Sequence, residues 1–192
     1  MTREMRALTL TQPWAGLVAS GIKKIENRSR PVIRREDFGK PFAIHAGKVI
    51  DHEVYDRIRK IAAEDPPDRV AGSWSDPTGS GDAEWYRLSK ITSAVIAVAT
   101  IDSVMTFDEL RREVNMSRFP SWEHPPASLE DLRMAAVKMG AVQRDQTRWM
   151  FGEVCYVLRD IHVLQRPVPC RGFQSFFFLP PDVERAVLAQ VL

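Results

Sequence analysis

Two cysteines among 192 residues, Cys155 and Cys170, are too few for the dense disulfide framework that holds small secreted modules together. Long apolar runs are missing as well. The longest, Ala94 to Ala99, falls far short of the roughly 18–20 residues a membrane-spanning helix needs. The opening stretch MTREMRALTL is charged and has no apolar segment of leader type, so the expectation is a cytoplasmic protein with no membrane partner. Neither G-x-x-x-x-G-K-[ST] nor G-x-G-x-x-G stands between a strand and a helix, which removes both phosphate-cradling loops. There is no G-x-S-x-G elbow. The four histidines (His45, His52, His124, His162) and the two cysteines show neither C-x-x-C nor H-x-x-x-H spacing. No metal and no cofactor is therefore expected.

What remains is ordinary globular composition around one stretch of uneven charge. Apolar residues make up 44% of the chain and charged residues 27%, which allows a packed core and argues against disorder. The length fits one domain spanning residues 1–192. A net charge of +2 is too small to imply a polyanionic partner by itself. Yet residues 6–48 hold nine cations against Glu26, Glu36 and Asp37. Such a local excess marks either an anion site or a solvated surface in an arginine-rich protein, and charge alone does not separate the two.

Periodicity predicts strands and helices in irregular alternation. Strands are read at 6–10, Pro41–Ala46, Ser93–Val104, Gly152–Leu164 and Gln174–Leu179. A helix follows Pro13, with Trp14, Leu17 and Val18 on one face and Gly21 as its stop. A second starts near Asp51 with Val54, Ile58 and Ile61 inward. A third starts at Thr106, where Glu109 completes a capping box. A fourth runs from Ser128 to Gly140 with Leu129, Leu132, Ala136 and Met139 buried, and a last one follows Pro180-Pro181. This irregular order suits an α+β fold, a small and mostly antiparallel β-barrel with surrounding helices, better than a doubly wound sheet. Residues 64–87 and 111–148 read as insertions, and the second is a candidate surface for a protein partner. Among Phe173, Phe176, Phe177 and Phe178, alternation would bury some, and core is the reading taken.

The chemistry gathers in the first fifty residues. If 24–28 is extended, Lys24, Glu26 and Arg28 share one face and Ile25 and Asn27 the other, with Lys23 at the mouth of the strand. A carboxylate between cations is suited to accept a hydrogen bond from an exocyclic amine such as cytosine N4. Arg28 has three uses: holding Glu26, meeting a guanine edge, or meeting a phosphate. Lys23 and Lys48 are candidate phosphate or carbonyl contacts, Trp14 a stacking platform, and Gln12 a donor and acceptor for a base edge. Each has a plainer counterpart. Trp14 shares a face with Leu17 and Val18 and suits a core. The Lys24–Glu26–Arg28 set suits a surface ion-pair ladder. His45, in an apolar strand, suits a hydrogen-bonded structural role.

The string QPWAGLVASGIKKIENRSR followed by PFAIHAGK resembles the ASCH (activating-signal-cointegrator homology) family of the PUA-like superfamily. Its G-x-K-x-x-E-x-R mark is met by Gly21, Lys23, Glu26 and Arg28, with Gln12 to Ala15 upstream and Ile44 to Lys48 downstream. The segment PVPCRGFQSFFFLP is more loosely similar to the family's closing stretch. The resemblance implies a PUA-like β-barrel that recognises RNA, single-stranded nucleic acid or a modified nucleoside in a basic cleft. It implies a ligand site drawn from Gln12, Trp14, Lys23, Glu26, Arg28, His45 and Lys48. One branch of the family hydrolyses N4-acetylcytidine with a lysine and a threonine; Lys23 matches the lysine, but Glu26 stands at the threonine's place. Other members are associated with RNA cleavage, for which Glu26 would be general base and Lys23 or Arg28 would stabilise the anion. If the protein is a hydrolase, Lys23 and Glu26 are the expected catalytic pair.

Overall fold

The computed structural model describes residues 5–56, 58, 84–118 and 128–191. Ile61, His124 and most of the first expected insertion lie outside these residues. Six strands are described: β1 (Arg6–Gln12), β2 (Ile25–Arg28), β3 (Pro41–Ile50), β4 (Ala94–Thr106), β5 (Val154–Pro169) and β6 (Phe176–Phe178). The labelled helices are α1 (Trp14–Ala19), α2 (Glu84–Ser89), α3 (Phe107–Arg118), α4 (Leu129–Lys138) and α5 (Pro181–Val191), and residues 52–56 are also helical. The strands hydrogen-bond in the order β2-β5-β4-β3-β1-β6, giving an α+β fold whose sheet, among the described residues, ends at β2 and β6 and is not closed. The chain divides into two compact units, and β4 and β5 each contribute residues to both.

The first unit takes in residues 1–22, 41–99 and 160–192. Here β1 pairs with β3 in parallel, Thr9 opposite His45, and with β6 antiparallel, Arg6 opposite Phe178. The pairings of β1 with β6 and of β2 with β5 meet the mostly antiparallel expectation, and β1 with β3 is a parallel pair within it. The parallel pair arises because residues 13–40 form a crossover of the length parallel neighbours need. Both strands are apolar on both faces, as parallel strands tend to be, and Ala7, Leu8, Ala43 and Ile44 are fully buried. Met5, Val95, Val98, Leu164, Leu179, Val183 and Val187 complete a core beneath α5. Phe177 packs against this core, but Phe173 and Phe178 are 50% and 44% exposed, which corrects the core reading for those two.

Gly21 ends α1 with φ +75°, as its sequence position predicts. Gly16, within α1, is needed for a different reason: a Cβ there would stand 2.8 Å from both the Ser89 nitrogen and the Trp85 carbonyl oxygen of α2.

The second unit takes in residues 23–40 and 100–159. β2 lies antiparallel to β5, with Glu26 opposite Tyr156 and Asn27 opposite Cys155. α3 begins with the expected box: Thr106 N donates to Glu109 Oε2 at 2.9 Å, and Glu109 N donates to Thr106 Oγ1 at 3.2 Å. A second box of the same kind joins Ser128 and Asp131 at the start of α4. α4 buries Leu132, Ala135 and Ala136. Leu129 and Met139 are 39% and 54% exposed, contrary to expectation: they share the stripe of Leu132 and Ala136 but stand at its two ends, the first helical residue and the C-cap.

Replacing Gly16 by alanine tests the α1–α2 contact. The backbone atoms it would strike cannot swing aside, so overpacking outweighs the gain in helix propensity. Urea unfolding is expected to show a loss of about 1–3 kcal/mol.

Candidate functional site

Four of the seven expected site residues lie in the first unit, and two of them are committed to its scaffold. Gln12 is wholly buried. Its Nε2 donates to the carbonyls of Leu88 (3.0 Å) and Ile91 (2.6 Å), and its Oε1 accepts from Gly16 N at 3.0 Å. The amide thus ties β1 to α1 and α2, and it is not the base-edge contact expected of it. His45 is 1% exposed. Its Nε2 lies 2.9 Å from the Cys170 carbonyl, which can only accept, so the proton sits on Nε2 and Nδ1 accepts from Thr9 Oγ1 at 3.3 Å. Gly172 closes over the ring: a Cβ there would come within 2.3 Å of His45 Cε1. His45 is therefore the structural histidine of the plainer reading. Trp14 is half-buried and Lys48 exposed, so both keep side-chain surface toward solvent.

Lys23, Glu26 and Arg28 come together in the second unit. Lys23 is 1% exposed, an extreme position for an ammonium group. Its Nζ donates to the Ile25 carbonyl and lies 3.3 Å from Glu26 Oε2. Arg28 Nε forms an ion pair with Glu26 Oε1 at 2.9 Å. The carboxylate is therefore gripped from both sides, as the sequence predicts, but by Lys23 and not Lys24, which is exposed. Lys23 precedes the strand, so the alternation that fixes residues 25–28 does not apply to it, and its long side chain folds back over Ile25. Burial lowers the Lys23 pKa from the lysine value, with the Glu26 carboxylate opposing. The surface-ladder reading fails, since Glu26 is also buried. Arg28, 24% exposed, is the cluster's most accessible member.

Three residues that sequence reasoning passed over hold this group in place. Asn27 Nδ2 donates to the Trp149 carbonyl at 2.8 Å, while its Oδ1 accepts from the backbone nitrogens of Phe151 and Gly152, each at 3.0 Å. Tyr156 Oη accepts from Val32 N (2.9 Å) and Ile33 N (3.2 Å). Gln146 Oε1 accepts from Lys24 N at 2.8 Å. The available signal was Asn27 itself: a polar side chain on the inward face of a strand must find partners. Cys155 adjoins the cluster, and burial raises its thiol pKa to about 11, which leaves it protonated and a poor nucleophile at neutral pH.

Elsewhere in this unit a cleft of about 250 Å³ opens between α3 and α4, lined by Val114, Asp131, Met134, Lys138 and Met139 among others. It contains none of the seven residues. Among the described residues no cluster of histidine, cysteine or carboxylate side chains could hold a metal, and no helix is long and apolar enough to cross a membrane.

No protein-family model and no curated protein matches the chain. Solved structures do. The ASCH protein of Zymomonas mobilis is 13% identical, with 98% of this chain and 96% of that chain aligned and a TM-score of 0.46. Two substituted forms of the same protein give 13% and 14% identity over 97% of this chain, with TM-scores of 0.45 and 0.44. All three are structures of an ASCH protein.

His45 yields a pH test. Burial holds its pKa below the ordinary 6.5, against the opposing bond to the Cys170 carbonyl. The stability this confers is complete above pH 6.5 and is lost as pH falls through the lowered value in the folded state. Urea unfolding across that range should therefore show a steeper acid loss for the wild type than for His45→Gln; equal slopes would contradict it.

Proposed function

We propose that the chain is an ASCH-type nucleic-acid-binding protein that takes single-stranded RNA or a modified nucleoside at Lys23, Glu26 and Arg28. The observation that supports this reading is the burial of two opposite charges with a third cation reaching toward solvent. A buried ion pair contributes little net stability, because desolvation consumes most of its Coulomb energy. Recognition gives such an arrangement a purpose. A buried, oriented carboxylate discriminates ligands with an exocyclic amine from those without one, since a mismatched ligand leaves it unsatisfied. Arg28 stands where a ligand arriving from solvent first meets the group, with a planar donor set suited to a base edge or a phosphate.

A second reading, hydrolysis of an N4-acylated cytidine or of an RNA phosphodiester, is favoured by Lys23. A lysine whose pKa is lowered by burial is closer to the neutral form needed in a base or nucleophile. Glu26, ion-paired on both sides, would then position Lys23 or move a proton.

The two readings separate in one experiment. Wild type, Glu26→Gln and Arg28→Ala are each mixed with short single-stranded RNA and with nucleosides that include N4-acetylcytidine. Thermal stabilisation is followed alongside the ligand's mass. Binding predicts stabilisation of the wild type without a change in ligand mass, and its loss in both variants. Hydrolysis predicts conversion to cytidine and acetate, or to shorter RNA, that disappears in Glu26→Gln. Equal stabilisation of all three proteins would reject the site.

A further inference from the structure

We infer that the loop of residues 29–40, which follows β2, is a preformed platform for the phosphate backbone of a single-stranded nucleic acid, separate in role from the base-reading group before it. The inference rests on the nucleic-acid reading above and assigns a contact set that the N-terminal motif does not contain. The loop reads SRPVIRREDFGK, and Arg28 immediately precedes it.

Its inward positions are fixed. Val32 N and Ile33 N donate to Tyr156 Oη, the Ile33 side chain is 7% exposed, and Asp37 is buried. Asp37 N donates to the Arg34 carbonyl at 3.0 Å, and Phe38 N donates to the Arg35 carbonyl at 3.2 Å. Gly39, with φ +73°, turns the chain so that its N–H reaches the Ile101 carbonyl at 3.0 Å.

With those positions held, Arg30, Arg34, Arg35 and Lys40 are left exposed. Arg34 pairs with Glu36 at 3.3 Å, both side chains being more than half exposed, and such a pair is worth little against a multivalent anion. Among the described residues, Arg30, Arg35 and Lys40 have no carboxylate within ion-pair distance. A mobile basic tail would have to be ordered on binding, whereas this loop is tied to the rest of its unit through three backbone nitrogens, those of Val32, Ile33 and Gly39, and carries less of that cost. Exposed cations on a backbone held in this way, following Arg28 in the chain, suit a series of phosphates. Contacts of that kind position a nucleic acid without reading its sequence.

The test follows binding of fluorescently labelled short single-stranded RNA by anisotropy at several salt concentrations. Each phosphate neutralised on a single strand contributes roughly 0.7 to the slope of log affinity against log salt. The triple variant Arg30→Ala/Arg34→Ala/Arg35→Ala should flatten the slope by roughly 2 and weaken all RNA sequences alike, with base preference kept. Thermal unfolding of the variant verifies its fold, and Arg28→Ala is run beside it. If the triple variant keeps the wild-type slope while Arg28→Ala loses affinity, the platform is wrong and the base-reading site stands. If the wild type shows no salt-dependent RNA binding, both fall.

Discussion

Lys23 has an ammonium group almost wholly removed from water, and the second unit is organised around meeting that demand. Burial of a lone cation costs several kcal/mol even after the surroundings relax, of order ~5 for one ion. The Ile25 carbonyl and the Glu26 carboxylate offset that cost, and Arg28 in turn offsets the burial of Glu26. For these atoms to meet, residues 25–28 must stay extended and in register with β5. Asn27 enforces this by latching β2 to the turn at 149–152. Gly152 permits it, since a Cβ there would stand 2.8 Å from that of Asn27.

The first unit buries polarity too, but in a different currency. Gln12 and His45 are neutral, and each has its donors and acceptors matched by groups of the same unit. Buried polar groups satisfied in this way specify a unique packing and leave nothing for a ligand. Lys23, Glu26 and Arg28 are charged, and one of the three is accessible. That contrast, more than the motif, separates scaffold from candidate site among residues that look alike in the sequence.

Local signals were legible. The strands at 6–10 and 93–104, the box at Thr106 and Glu109, and the stop at Gly21 each depend on neighbours within a few residues, and the structure extends the strands without displacing them. What was not legible depends on distant partners. Gln12 and His45 bond to carbonyls 76 and 125 residues away, and nothing near either residue announces it. The choice between Lys23 and Lys24 turned on where the strand starts, a boundary that alternation cannot place to one residue. Phe178 reads as core because phenylalanines in a row usually are. It lies instead on the end strand of the sheet, with Arg6 over its ring at 4.5 Å.

We propose that Lys23 and Glu26 are buried together for recognition and not for stability. The most direct test measures unfolding free energy and ligand affinity on one variant, Lys23→Met/Glu26→Leu, beside Glu26→Leu alone. The single change strands a buried cation and should cost about 3 kcal/mol or more, whereas the apolar pair should restore stability to near or above wild type. On that proposal the stable double variant no longer binds RNA or nucleoside. A double variant that binds as the wild type does, or that is no more stable than Glu26→Leu, would contradict it.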